Sequence, residues 1–133
     1  MMKTYQGSCH CGAVRYEADL DLAEGTIKCN CSICRKERNW LAAVKPGAFR
    51  LLDGEAALSE YQFGAKRIHH MFCKNCGVSP FSRATGPEGK PMQVIKVSSL
   101  DNADEQDLAN APVMFINGRD DDFKSPPRET RYL

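Results

Sequence analysis

The residues with the most chemistry to offer are seven cysteines, and they fall into three tight groups. Cys9 and Cys11 flank His10. Cys29, Cys31 and Cys34 form a Cys-x-Cys-x-x-Cys run. Cys73 and Cys76 form a Cys-x-x-Cys followed by Gly77. An odd total does not close into a disulfide set, and partners one residue apart rarely meet disulfide geometry without strain. Metal ligation explains the grouping better. Zinc takes four thiolates or imidazoles in a tetrahedron, each sulfur at about 2.3 Å. Cys73-Lys74-Asn75-Cys76-Gly77 reads as a knuckle whose glycine follows where positive φ is favoured. Pairing it with Cys9 and Cys11 gives a closed, all-thiolate site of the structural kind.

Cys29, Cys31 and Cys34 then remain, and three thiolates do not complete a tetrahedron. Protein ligands fill structural sites, whereas catalytic sites keep one position for water or substrate. An open fourth position is therefore expected, with closure by a histidine or carboxylate as the alternative. His69 and His70 are the residues best placed to close it. They alternate along a strand, so only one faces inward. It serves as a structural group or, alternatively, as a proton carrier. His10, between two ligands, reads as a group outside the coordination sphere. An iron–sulfur centre fits the spacings less well, and a redox pair of Cys31 and Cys34 leaves Cys29 without a role.

The elements that must position these sulfurs read as mostly β. Thr4–Ser8 and Ala13–Ala18 form a hairpin with Cys9–Gly12 at its tip. Thr26–Lys28 is a brief strand leading into the second group. Arg35–Asn39 is too polar for a strand and too short to be assigned a helix. Trp40–Val44 is an apolar run stopped by Pro46-Gly47. Ala48–Leu52 continues the sheet into an Asp53-Gly54 turn. Leu58–Phe63 and Ala65–Phe72 make a hairpin around Gly64 that ends at the knuckle. Val78–Ala84 is a strand in which Pro80 suggests an edge or a bulge, and Met92–Val97 is the best core strand. The acidic stretch Asp101–Asp107 opens a short helix through Leu108 and Ala109. The chain reads as one zinc-binding domain over 1–133, with its core at about 4–120 and an irregular tail at 121–133, where Pro126-Pro127 forbids regular pairing.

Composition excludes several classes. Hydrophobic residues make up 42% and charged residues 26%, a globular balance. Eighteen Lys and Arg against seventeen Asp and Glu leave a net charge of +1, with no pull toward nucleic acid or anionic membrane. No stretch has the apolar length of a membrane helix. Met1–Gly7 has no apolar run and is not expected to be a signal peptide. The expected location is the reducing cytoplasm, where structural disulfides are rare.

The register of all seven cysteines resembles the glutathione-dependent formaldehyde-activating enzyme family, which includes centromere protein V type members. Three phrases carry the likeness: Gly7-Ser8-Cys9-His10-Cys11-Gly12-Ala13-Val14-Arg15-Tyr16, Cys31-Ser32-Ile33-Cys34-Arg35, and Phe72-Cys73-Lys74-Asn75-Cys76-Gly77. It runs from about Gly7 to Asp120. The resemblance implies an Mss4-like layered β "tent" with zinc-clamped hairpin tips and two zinc ions per chain, the second of which is labile in one alternative. It implies a structural ion on Cys9, Cys11, Cys73 and Cys76, and a catalytic one on Cys29, Cys31 and Cys34. The implied activity is a carbon–sulfur lyase type: glutathione or another small thiol joined reversibly to an aldehyde, as in S-hydroxymethylglutathione formation from formaldehyde. Three thiolates weaken the ion as a Lewis acid, so capture of the substrate sulfur as thiolate is favoured. Glutathione carries two carboxylates, which makes Arg35 and Lys36 candidate binding residues. Arg38, Lys66 and Arg67 are further cations. Trp40 is either a pocket wall or plain core. The alternative reading is a non-catalytic zinc-binding interaction module of the same fold.

Overall fold

Alternation of apolar and polar residues builds the first hairpin, from β1 (Lys3–Ser8) and β2 (Arg15–Leu20), with Tyr5, Tyr16, Ala18 and Leu20 turned inward. The computed structural model describes residues 1–133, except for the side chain of Pro87. The first sheet adds β5 (Phe49–Asp53) in the order β1-β2-β5. The second sheet has seven strands in the order β10-β3-β4-β9-β8-β7-β6. These are β3 (Thr26–Cys29), β4 (Leu41–Val44), β6 (Leu58–Tyr61), β7 (Ile68–Cys73), β8 (Phe81–Thr85), β9 (Pro91–Lys96) and β10 (Val113–Ile116). All neighbours are antiparallel except β10 and β3, which run parallel. Two helices, α1 (Ser32–Glu37) and α2 (Glu105–Asn110), complete the elements. The expected mainly-β, layered architecture, with cysteines at the hairpin tips, is what the chain adopts. Among the described residues no helix is long and apolar enough to cross a membrane.

The core lies between the sheets. Tyr16 on β2 stacks on Phe49 of β5 at 5.1 Å, and both rings meet Phe81 of β8, at 5.8 and 4.8 Å. Val14, Val44, Ile95 and Val97 surround them, fully or almost fully buried. Truncating a buried ring such as Phe81 to alanine costs about 3–5 kcal/mol. Gly7 is needed here for closeness rather than for a turn: a Cβ on it would stand 2.3 Å from the Tyr16 ring. The Tyr16 hydroxyl ends 2.6 Å from Ser99 Oγ, which satisfies a buried polar tip.

Several elements depart from the expected ones. The polar Arg35–Asn39 stretch is mostly helical, because α1 starts three residues earlier. Cys31 is its N-cap, Arg35 N donates to Cys31 O at 3.0 Å, and the turn buries Cys34. Arg38 stops the helix in the left-handed region at φ 52. The strand expected at Val78–Ala84 starts only at Phe81, and it is not an edge: β8 pairs with β9 on one side and β7 on the other, with Pro80 left outside the strand. Val78 and Pro80 instead use their carbonyls to receive Cys73 N and Lys96 N, at 3.0 and 2.9 Å. The hairpin about Gly64 has a longer turn than expected, with Gly64 and Lys66 both at positive φ. The acidic helix begins at Glu105, with the Asp104 carboxylate accepting from Gln106 N at 2.8 Å. Strand β10 was not among the expected elements. The tail holds neither helix nor strand, yet it packs: Pro127 and Leu133 are buried, and Lys28 Nζ donates to Leu133 O at 3.4 Å.

Candidate functional site

Both sulfur clusters arise where strands stop. The β1–β2 turn carries Cys9 and Cys11, and Gly12 turns back at φ +81. Strand β7 ends in Cys73, and the knuckle returns through Cys76 and Gly77, at φ +77, with Gly77 N donating to Cys73 O at 2.7 Å. Lys74 N is held by Ala57 O at 2.8 Å, which fixes the knuckle to the turn before β6. The result brings together four sulfurs whose ligand atoms all lie within 4.8 Å of one another. Cys11 Sγ stands 3.7 Å from both Cys9 Sγ and Cys73 Sγ. Sulfurs at about 2.3 Å from one tetrahedral ion are about 3.8 Å apart, so the spacing fits a metal of that kind.

Backbone hydrogen bonds around these sulfurs favour thiolates, although at Cys11 the backbone donor of Ala13 is outweighed by desolvation and the neighbouring sulfurs, which leave its thiol up at about 11. Val14 N donates to Cys9 Sγ and Asn75 N to Cys73 Sγ, each at 3.3 Å. Backbone N–H groups of Cys11 and Val78 pull the Cys76 thiol down to about 6. Backbone donors aimed at a sulfur stabilise its anionic form, the form that ligates metal.

The second cluster contains Cys29, Cys31 and Cys34, again with ligand atoms within 4.8 Å. Cys29 is the last residue of β3, Cys31 caps α1, and Cys34 lies on the buried side of that helix. Cys31 N donates to Cys29 Sγ at 3.4 Å. The Cys31 thiol is drawn down to about 5, chiefly by a hydrogen bond from the Cys34 thiol, with the Cys34 and Ile33 backbone N–H groups adding to it. The hydrogen bond to Cys31, together with burial, pushes the Cys34 thiol well up, with the Asn39 amide acting against this, and burial pushes the Cys29 thiol up. Among the described residues no histidine or carboxylate brings a ligand atom into this cluster. His69 points outward and pairs its Nδ1 with Glu60. His70 is the inward partner. It stacks on Phe63 at 5.4 Å, and burial holds it below the usual imidazole range. His10 is exposed at the hairpin tip.

Residues that no motif singled out hold the trio in shape. Asn30, 1% exposed, donates from Nδ2 to Asn117 Oδ1 at 2.8 Å and accepts from Arg119 N at 3.0 Å. This fastens the segment after β10 directly over the sulfurs. A Cβ on Gly118 would stand 2.6 Å from Cys29 Sγ and 3.1 Å from Cys31 Cβ, so only glycine fits that wall. On the other side Asn39 Nδ2 reaches Cys34 Sγ at 3.5 Å, and Lys96 Nζ holds Asn39 Oδ1 at 2.6 Å. The Asn117-Gly118 dipeptide is a turn signal in the sequence. Nothing local marks Asn30, Asn39 or Lys96.

The candidate substrate contacts separate. Two open cavities flank α1. One, of about 460 Å³, is lined by Ser32, Ile33, Lys36, Glu37, Tyr61 and Phe63. The other, of about 510 Å³, is lined by Ser32, Arg35, Lys36 and Tyr132, with the Arg35 guanidinium 5.3 Å from the Tyr132 ring centre. Lys36 thus faces both cavities and Arg35 one. Trp40 lines neither; it packs against the core and donates Nε1 to Thr26 Oγ1 at 2.8 Å. Another cavity, of about 400 Å³, lies beside Leu20, Val44 and Met114, and none of the three is lined by a cysteine.

The arrangement has relatives. A crystal structure of a Rhodobacter sphaeroides protein superimposes with a TM-score of 0.67 at 29% identity, covering 82% of this chain and 99% of that one. The family model described as glutathione-dependent formaldehyde-activating enzyme matches residues 4–117, a span that includes every cysteine, both sheets and the parallel β10 that backs the trio. The chain belongs to the glutathione-dependent formaldehyde-activating enzyme family.

Proposed function

We propose that this chain is a zinc-dependent carbon–sulfur lyase-type enzyme of the cytoplasm. It would act on the adduct of glutathione, or another small thiol, with an aldehyde such as formaldehyde. The observation that carries the reading is the difference between the two clusters: four converging sulfurs in one and three in the other. Cys9, Cys11, Cys73 and Cys76 would hold a structural ion, and Cys29, Cys31 and Cys34 a catalytic one. When bound at the trio, zinc would supply a ligand position for the substrate sulfur and favour its thiolate form at neutral pH.

The chain's own residues orient the rest. Arg35 and Lys36, exposed on α1 and lining one cavity there, would offer cations to the two carboxylates of glutathione. The cavity between α1 and the Tyr61 and Phe63 rings would admit the carbonyl fragment. As the substrate sulfur bonds to the aldehyde carbon, the C=O π pair moves to oxygen, which ends with the proton the thiol gave up. His70 is the group to carry that proton. Burial holds its imidazole below the usual range, with the charges of Glu37 and Cys31 opposing that shift and Lys96 adding to it. In the reverse direction the same bond breaks and the proton returns.

Metal content per chain and the exchange of formaldehyde with glutathione, followed by NMR, test the reading together. Two zinc ions and an accelerated exchange that Cys31→Ser abolishes are expected. One ion with no acceleration would instead favour a zinc-binding interaction module.

A further inference from the structure

The most costly side chain near the trio is Lys96. Its side chain is 7% exposed, and burying an ammonium is unfavourable unless it is closely paired. It is the last residue of β9, and its position is set by pairing with Leu41 and by the bond from Val97 N to Trp40 O at 2.8 Å. That register puts Nζ under the α1–β4 connection. There it donates to Asn39 Oδ1 at 2.6 Å and to Glu37 Oε1 at 3.3 Å.

An ammonium has donors only, so the atom of Asn39 that faces it must be the carbonyl oxygen. The amide nitrogen then turns the other way, to Cys34 Sγ at 3.5 Å and Glu37 Oε1 at 3.4 Å. Asn39 is 9% exposed and Cys34 7%, so little water competes for either group. The left-handed Arg38 brings Asn39 back to the sulfur, with Asn39 N donating to Cys34 O at 3.1 Å. Reversing the amide would place Nδ2 against the ammonium and Oδ1 against a thiolate, which is repulsive at both ends.

We propose that Lys96 and Asn39 are a positioning pair for the three-sulfur site: the buried ammonium locks the Asn39 amide so that it donates to Cys34 Sγ and keeps that sulfur a ready metal ligand. The proposal rests on the trio being a metal site, as read above. Outer hydrogen bonds of this type orient first ligands and tune the metal they hold, and their loss typically weakens metal binding by about 10–100-fold. Among the described residues the four-sulfur cluster has no such pair; Cys9 and Cys73 receive backbone N–H groups instead. The effect is therefore confined to the trio.

The test titrates the full-length protein with cobalt(II), reading the sulfur-to-cobalt absorption, and repeats it with zinc against a chelator. Lys96→Met fills the same space without the charge. Asn39→Asp keeps the shape and pairs with Lys96 but cannot donate to Cys34. Both variants are expected to bind metal about 10–100-fold more weakly at the trio, with unchanged affinity at the four-sulfur site. The trio's charge-transfer band should move to lower energy once its sulfur loses a donor. Trio affinity within twofold of wild type in both variants overturns the proposal, and so do equal losses at both sites, which mark a fold-wide role. If Lys96→Met does not fold, Asn39→Asp decides. A wild-type chain that takes up only one ion refutes the reading of the trio itself, which is a distinguishable result.

Discussion

Replacing Gly118 by alanine puts a methyl carbon 2.6 Å from Cys29 Sγ and 3.1 Å from Cys31 Cβ. Comfortable carbon–sulfur contact lies near 3.7 Å, so the wall or the sulfur must give by about 1 Å. The wall is poorly able to yield. Asn30 ties it on both sides of Gly118, through Asn117 Oδ1 and Arg119 N, and β10 pairs with β3 up to Ile116 and Cys29. The sulfur is the softer partner. A displacement of about 1 Å is large beside a metal–sulfur bond of about 2.3 Å, and misplacements of this size cost on the order of 100-fold where geometry is decisive. Gly118 does not adopt a positive φ, so the backbone itself tolerates alanine, and overpacking costs about 1–3 kcal/mol of stability. The expected outcome for Gly118→Ala is a folded protein with a full four-sulfur site and metal binding at the trio weakened about 100-fold. Zinc competition and thermal melting read the two effects separately. Trio affinity within twofold of wild type would refute the claim that this wall sets the sulfur positions.

Three further variants probe other contacts. Cys73→Ala removes a fully buried member of the four-sulfur cluster and should lower Tm by about 10 °C or more, because structural metal binding is folding energy. Cys34→Ala should lower Tm by less than half as much while abolishing adduct exchange; equal losses would contradict this division. Acid stability should depend on Asp19, whose carboxyl is held down to about 2 by Arg50, with Thr4 adding to it. Its folded pKa lies below the unfolded value of about 3.9. Its contribution is therefore complete above about pH 4 and fades as pH falls toward 2. Denaturant unfolding of Arg50→Met between pH 5 and 2 should show a smaller loss on acidification than wild type, and a modest one, since the pair is exposed.

The cysteines were the most legible part of the chain, because ligand spacing is local and restrictive. Their division into four and three followed from counting sulfurs, and the structure brings together those same groups. The hairpin that carries Cys9 and Cys11 was legible too, since a period of two along Ala13–Ala18 has only one buried side. Helix α1 was not. Its six residues include Arg35, Lys36 and Glu37, and what makes it helical is the burial of Cys34 together with the reversal at Arg38. Strand β10 escaped notice because its parallel partner β3 lies 87 residues earlier (Val113 against Thr26) and no turn between them announces the pairing. Asn30, Asn39, Lys96 and Gly118 act through contacts between residues distant in sequence or through an ordinary-looking amide. Their side chains carry no spacing rule that would set them apart.

The parallel pairing of β10 with β3 also imposes an order on how the molecule comes into being. All four sulfurs of the first cluster have been synthesised once Cys76 is made, and the Gly77 and Val78 contacts that close its knuckle two residues later, whereas the wall over the other three sulfurs awaits Gly118. At a translation speed of about 5–20 residues per second the interval is a few seconds. During that interval the nascent chain holds Cys29, Cys31 and Cys34 without their finished enclosure, the stage at which those thiols are most open to oxidation or to the wrong ion.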